Sequence, residues 1–224
     1  MRDDRPTIAI LGGTGALGSG LARRWAQAGY RLIIGSRQQQ RAEAAAKSLC
    51  DAINTKEVRG MANAAAAEAA DIVVMTVPFA HHADTIRSVR DAVQGKIFVD
   101  TTVPLVPPKP GTVQLPPGGS AAAAAQELLG GEVMVVSAFQ NIGARHLAEN
   151  GGIDHEVLVT GNKRAARETV IELVQAAGLT GWHAGPIANA AAAEALTSIL
   201  ISINRHHQID GAGIKITGAP KSDD

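Results

Sequence analysis

Cysteine is nearly missing. Cys50 is the single thiol among 224 residues, which excludes an intrachain disulfide framework and fits a reducing cytosol. Aromatic residues make up 3% of the chain, so any core must be built from Ala, Val, Ile and Leu. Charge of one sign is not in excess: 21 Lys and Arg balance 21 Asp and Glu, for a formal net charge of +0. That balance offers no electrostatic footprint for nucleic acid or an anionic membrane. The start, Met1-Arg-Asp-Asp-Arg-Pro6, has no apolar signal region, and the expected location is the cytoplasm. The longest apolar stretch, 187–203, is interrupted by Asn189 and Glu194. It reads as a buried helix of a soluble protein rather than a membrane span.

What is present is a hydrophobic content of 46%, which supports a proper core for one domain with an appendage or for two small domains. TIAIL (7–11) is a continuous apolar run, as in a strand buried on both faces. RLIIGS (31–36), DIVVMTVP (71–78), KIFVDTT (96–102), EVMVVSAF (132–139) and HEVLVTG (155–161) repeat that pattern, with a short extended GWHAG at 181–185. Helical stretches fall between them, at 38–50, 61–70, 81–93, 121–130 and 163–178, with a long one at about 187–207. Strand and helix in alternation argue a parallel sheet covered on both faces. Six prolines and three glycines break the rhythm at 104–119 and predict a long surface loop. The expected fold is α/β: a Rossmann-type, doubly wound parallel sheet over 1–144, with a small, mainly helical C-terminal part, 145–224, completing a substrate cleft.

Gly13-Thr14-Gly15-Ala16-Leu17-Gly18 fits G-x-G-x-x-G between the first strand and the helix after it, the context that gives the pattern meaning. Gly13 is expected to permit the tight turn. Gly15 would let the backbone approach a pyrophosphate, and Gly18 would let helix and strand pack closely. The helix start then offers free amides to phosphate. An NAD-binding chain carries an acid about 20 residues further on, at the second strand end, for the adenosine ribose. Here Ser36-Arg37 occupies that place, with Arg41 a turn later. A guanidinium attracts the 2′-phosphate of NADP(H) that a carboxylate would repel. The turn Thr76-Val77-Pro78, before His81, ends the next strand and is expected beside the nicotinamide half of the cofactor.

Catalytic side chains of the usual kinds are not evident. Tyr30 is the single tyrosine and has no Lys four residues later, and the long C-terminal helix has no lysine. His81-His82 and His206-His207 are adjacent pairs, which a helix turns to different faces, and no HExxH or CxxC supports a metal. No metal is expected. These absences argue against the Tyr-Lys and catalytic-Lys machinery of carbonyl reduction. Ile187, Leu196, Ile199, Leu200, Ile201 and Ile203 leave the last helix apolar on more than one side, and a homodimer through this part is expected.

Four segments carry a resemblance: IAILGGTGALGSGLARRWAQAGYRLIIGSR (8–37), DIVVMTVPFAHHADT (71–85), VVSAFQNIGA (135–144) and HAGPIANAAAAEALTSILISINRHHQIDGAGIKI (183–216). They are similar to the F420H2:NADP oxidoreductase family, whose members pass a hydride between NADP(H) and the deazaflavin coenzyme F420. The resemblance implies that Thr14, Leu17, Ser36, Arg37 and Arg41 hold NADP, and that Val77-Pro78 faces the nicotinamide. It places the deazaflavin between the two parts of the chain, near Ala138, Phe139, Gln140, Asn141 and Ile142 and the turn Gly185-Pro186 to Asn189. Where archaeal relatives carry His-Thr-Ile-Pro, this chain has Gln140-Asn141-Ile142-Gly143, a departure on the substrate side. Two other readings use the same nucleotide site: an NADPH-dependent reductase of another small acceptor (flavin, metal chelate, imine or carbonyl), and a non-catalytic NADP(H)-sensing module.

Overall fold

A computed structural model describes residues 5–148 and 153–218. Ile8–Leu11 (β1) leads into Ala16–Gln27 (α1), Leu32–Ser36 (β2), Gln39–Ile53 (α2) and Val58–Ala62 (β3). Asn63–Glu68 (α3), Ile72–Met75 (β4), His82–Val89 (α4) and Ile97–Asp100 (β5) follow. The chain continues with Ala121–Leu129 (α5), Met134–Ser137 (β6), Ala144–Ala148 (α6), Glu156–Gly161 (β7), Arg164–Ala176 (α7), Thr180–His183 (β8) and Ala190–His207 (α8). The eight strands form one sheet in the order β3-β2-β1-β4-β5-β6-β7-β8. The first six are mutually parallel. Strand order reverses between β1 and β4, so a crevice opens at their carboxyl ends, where doubly wound sheets place ligands.

The apolar runs of the strands alternate between two cores. Ile8, Ile10, Leu32, Ile34, Ile72 and Val74 point into one. Ala9, Leu11, Ile33, Val73, Met75 and Phe98 point into the other. Both faces of the central strands β1 and β4 are therefore dry, and these strands are apolar at every position. Trp25 on α1 joins distant parts of the chain: its indole nitrogen donates to the Leu173 carbonyl at 2.7 Å, and its ring meets Phe139 edge-on at 5.9 Å.

Two expectations change. Residues 61–70 do not form one helix, because Val58–Ala62 adds β3 to the edge of the sheet before α3 begins. Gly60 makes this possible: a Cβ there would lie 2.3 Å from the α2 backbone, so alanine-rich composition gives way to close packing of strand on helix. The strands expected at 155–161 and 181–185 form β7 and β8 of the same sheet, but β7 runs antiparallel to β6 rather than parallel.

The 104–119 segment is irregular, as its prolines require, and a Cβ at Gly111 would meet Ile201 of α8 at 3.8 Å. Residues Ile187–His207 are long and apolar enough to cross a membrane, with a mean hydropathy of 1.3. One face of this stretch is nonetheless committed to the protein. Glu194 is buried, and its carboxyl oxygens accept from the Ala121 amide at 2.6 Å and the Ala122 amide at 3.1 Å. Ser120 accepts from Ala123 at 2.9 Å, so the first three amides of α5 are all satisfied. Burial, offset in part by these amides, pushes the Glu194 carboxyl from its ordinary 4.5 up to about 7. Asp100 raises it further and His82 opposes.

The folded protein thus holds this proton to about pH 7, whereas the unfolded chain releases it above about 4.5. Folded protein binds the extra proton in that window, so stability falls as pH rises through it, by at most about 1.4 kcal/mol per pH unit. Glu194→Gln should flatten this decline in chemical denaturation at successive pH values. An unchanged slope would refute the assignment.

Candidate functional site: a cofactor cleft at the strand-order switch

Gly12 to Ala16 form the lip of the cleft between β1 and β4, and Gly12 makes the tight turn. Its φ is +75°, and a Cβ there would stand 2.8 Å from Val77 Cγ1. The turn was expected to depend on Gly13. Gly13 instead has ordinary backbone and is required because a side chain would meet the Ile10 carbonyl at 2.8 Å. Gly18 is the contact point of the whole region. A Cβ would fall 2.6 Å from Thr76 Oγ1 and 2.7 Å from the Gly13 Cα. Thr76 in turn ties β4 to β1, its amide and hydroxyl donating to the Leu11 carbonyl at 2.9 and 3.0 Å. Gly15 precedes α1, whose first turn has neither a side-chain cap nor an acid. Its amides remain available to an anion.

A cleft of about 370 Å³ runs along this lip. It is lined by Thr14, Gly15 and Ala16, by Ser36, Arg37 and Arg41, and by Thr76, Val77, Pro78 and His81. Residues spread over 68 positions of sequence thus meet at one concave surface, with the expected basic group at one end and the strand-end turn at the other. Ser36 is nearly buried and accepts the Gln38 amide at 3.2 Å, which shapes the bend before α2. Arg37 and Arg41 are exposed, and neither guanidinium has a hydrogen-bond or ion-pair partner among the described residues. Two such cations beside a glycine cradle give this end of the cleft the charge and donors that an anion requires.

Gly12, Gln38, Asn63 and Thr85 also line the cleft and were not anticipated. Asn63 matters most. It is nearly buried, and its Oδ1 has no hydrogen-bond partner; a buried acceptor in that state is costly unless a ligand or water satisfies it. Its signal was a single amide at the head of an alanine run, at the carboxyl end of a strand hidden by alanine-rich composition.

Other expected contacts lie elsewhere. Gly13 lines a second cavity of about 320 Å³ between α1 and α2, which Thr14 also borders. Leu17 packs against the core. Ala138 and Phe139 are fully buried there, Phe139 with φ +71°. Gln140 and Asn141 are buried as well. Asn141 Nδ2 donates to the Ala193 carbonyl at 2.9 Å and to Thr197 Oγ1 at 3.0 Å, and so fastens segment 138–142 to α8. Ile142 is buried in the same core. Gly185, with φ +89°, turns the chain before Pro186, and Asn189 Nδ2 closes that turn onto the Ala184 carbonyl at 2.7 Å. Neither the 138–142 segment nor the 185–189 turn contributes to the cleft at β1 and β4.

The His81-His82 pair separates as helical spacing demands, whereas His206 and His207 are both exposed, with ring centroids 4.7 Å apart. His81 is exposed at the cleft, while His82 is buried with its Nε2 at 2.7 Å from Asp100 Oδ2. Among the described residues, no three His, Cys, Asp or Glu side chains gather as a metal site. Trp182 is half-buried on β8 and donates to Glu156 at 2.8 Å.

Comparison with known proteins agrees with this geometry. Residues 7–104 match the family model described as NADP oxidoreductase coenzyme F420-dependent. The chain is 36% identical over 222 residues to the F420-dependent NADP reductase of Methanothermobacter marburgensis, covering 96% of this chain and 99% of the relative. It is 37% identical over 219 residues to that of Methanocaldococcus jannaschii, covering 94% and 97%. A crystal structure of a putative F420-dependent NADP-reductase from Arthrobacter sp. FB24 superposes with a TM-score of 0.80 at 26% identity, covering 96% of this chain and 100% of that one. The glycine cradle, the basic strand end and the near full-length similarity together make this chain a member of the F420-dependent NADP reductase family.

Proposed function

We propose that the protein transfers a hydride directly between NADP(H) and the deazaflavin coenzyme F420. The observation that carries this reading is the grouping of Ser36, Arg37 and Arg41 with the glycine lip around one cleft, both guanidiniums without a partner among the described residues. The residues fit a phosphorylated dinucleotide: two guanidiniums without a partner among the described residues for a 2′-phosphate, and amides of α1 for the pyrophosphate. The paired coenzymes themselves supply a hydride donor and a hydride acceptor. The chain's task is to bind, align and keep dry.

Arg37 and Arg41 hold the adenosine end, and Thr14 to Gly18 hold the diphosphate. Thr76, Val77, Pro78 and His81 present the nicotinamide. Phe139 to Ile142 and Gly185 to Asn189 support the acceptor side from behind, through backbone position rather than exposed side chains. Segment 104–119 and α8 together expose Val106, Val113, Leu115 and Ile199. We assign this apolar surface to a homodimer contact, consistent with a water-soluble cytoplasmic enzyme that uses small-molecule coenzymes and no nucleic acid, membrane or metal.

Purified protein with NADPH and F420 should bleach the deazaflavin absorbance, and deuterium at the transferred position of NADPH should appear on the deazaflavin ring. Turnover with a flavin, imine or carbonyl but not with F420 would overturn the assignment. Arg37→Asp should weaken NADPH binding by roughly 10- to 150-fold, since a charge-assisted bond contributes about 1.5–3 kcal/mol, and leave NADH binding little changed. Equal affinity of the native protein for NADH and NADPH would refute this. Gel filtration at micromolar concentration should give a dimer, shifted toward monomer by Ile199→Asp.

A further inference from the structure

The turn Thr76–His81 forms one wall of the cleft, and residues of β5 and its end hold it on both sides. Before the turn, the Met75 carbonyl accepts from the Thr101 hydroxyl at 2.8 Å and from the Thr101 amide at 3.3 Å. After it, His82 Nε2 reaches Asp100 Oδ2 at 2.7 Å, both side chains being buried. The other carboxyl oxygen of Asp100 accepts the Thr102 amide at 2.9 Å. Asp100 also connects to the opposite side. Its carbonyl accepts from Gln140 Nε2 at 2.8 Å, and the Gln140 carbonyl accepts from the Thr197 hydroxyl at 2.9 Å. A continuous buried chain of hydrogen bonds therefore runs from the cofactor turn through Asp100 to segment 138–142 and α8.

A strand-to-helix turn needs no buried ionisable pair to form. An apolar pair of equal volume would avoid the desolvation cost, so this one is better explained by the geometry it imposes. Neither Asp100 nor His82 lines the cleft, which leaves no direct role at the reacting atoms. We propose that Asp100, acting through His82, is the positioning residue of hydride transfer. It fixes the Thr76–His81 turn against segment 138–142 so that donor and acceptor rings meet at reacting distance. The inference rests on the reading that this turn presents the nicotinamide. A misplacement of about 1 Å costs on the order of 100-fold in rate, so a support of this kind is felt in turnover before it is felt in affinity.

Three variants test it. His82→Phe keeps the bulk and removes the contact. His82→Gln restores a side-chain donor to Asp100. Thr101→Val removes the hydroxyl at the other end of the turn, and is read in the same way should the phenylalanine variant not fold. The expected result for His82→Phe is a kcat lower by at least about tenfold, with the Kd for NADPH within about threefold of wild type and most of the loss recovered in His82→Gln. Two readouts need no acceptor: faster amide exchange across 76–82, and a broadened fluorescence lifetime of bound NADPH. Wild-type kcat in His82→Phe would overturn the proposal. So would parallel loss of melting temperature, NADPH affinity and kcat that His82→Gln does not relieve, because that marks a packing role alone. If the native protein fails to reduce the deazaflavin, the functional reading falls, while exchange and lifetime still decide whether the pair positions the nicotinamide.

Discussion

The site depends on one close approach. The start of α1 lies so near the ends of β1 and β4 that Gly18 would place a Cβ 2.6 Å from Thr76 Oγ1. Everything on the nucleotide side follows from that contact. The helix amides are brought to the lip of the sheet, Thr76 bridges two strands through the Leu11 carbonyl, and Gly12 takes the positive φ that lets the chain reverse into the helix. A larger residue at Gly18 would pry α1 away from the strand ends, and the cradle would lose both its shape and its donors. The geometry is rigid because the strands beneath are dry on both faces.

Above that platform the two halves of the site are built differently. The proposed nucleotide half is open, with two guanidiniums that have no partner among the described residues lining a cleft. The proposed acceptor half is closed. Gln140 and Asn141 are buried and donate to Asp100, Ala193 and Thr197 rather than face solvent, with Gln140 Oε1 left unpartnered among the described residues. An open half suits a ligand whose charge must be met by the protein. A closed half suits placement of a planar ring by backbone and shape.

The glycine turn and the basic strand end were legible because their signals are local. A glycine spacing between strand and helix, and a basic residue at a strand end, lie within one βαβ unit, and the cleft gathers them as expected. β3 was hidden because Gly60 and Ala62 carry weak strand preference, and its existence depends on packing against α2, a long-range effect. The antiparallel entry of β7 into the sheet was equally invisible, since Glu156–Gly161 looks like any buried strand. The burial of Phe139 to Ile142 was not legible: sequence cannot say which polar groups are exposed and which bond within the protein. The Asp100–His82 pair was missed for the same reason, since its partners are 18 residues apart and each, read alone, resembles an ordinary strand end or helix start.

Arg37 and Arg41 stand unneutralised on one rim, within a Debye length of each other if they share a single phosphate. Under the proposed reading, their mutual repulsion is shielded by mobile ions when the cleft is empty and by the 2′-phosphate when it is filled. Ionic strength and competing oxyanions in the medium would then act as weak antagonists of the cofactor, and the choice between the two pyridine nucleotides would be sharpest in dilute, phosphate-poor solution.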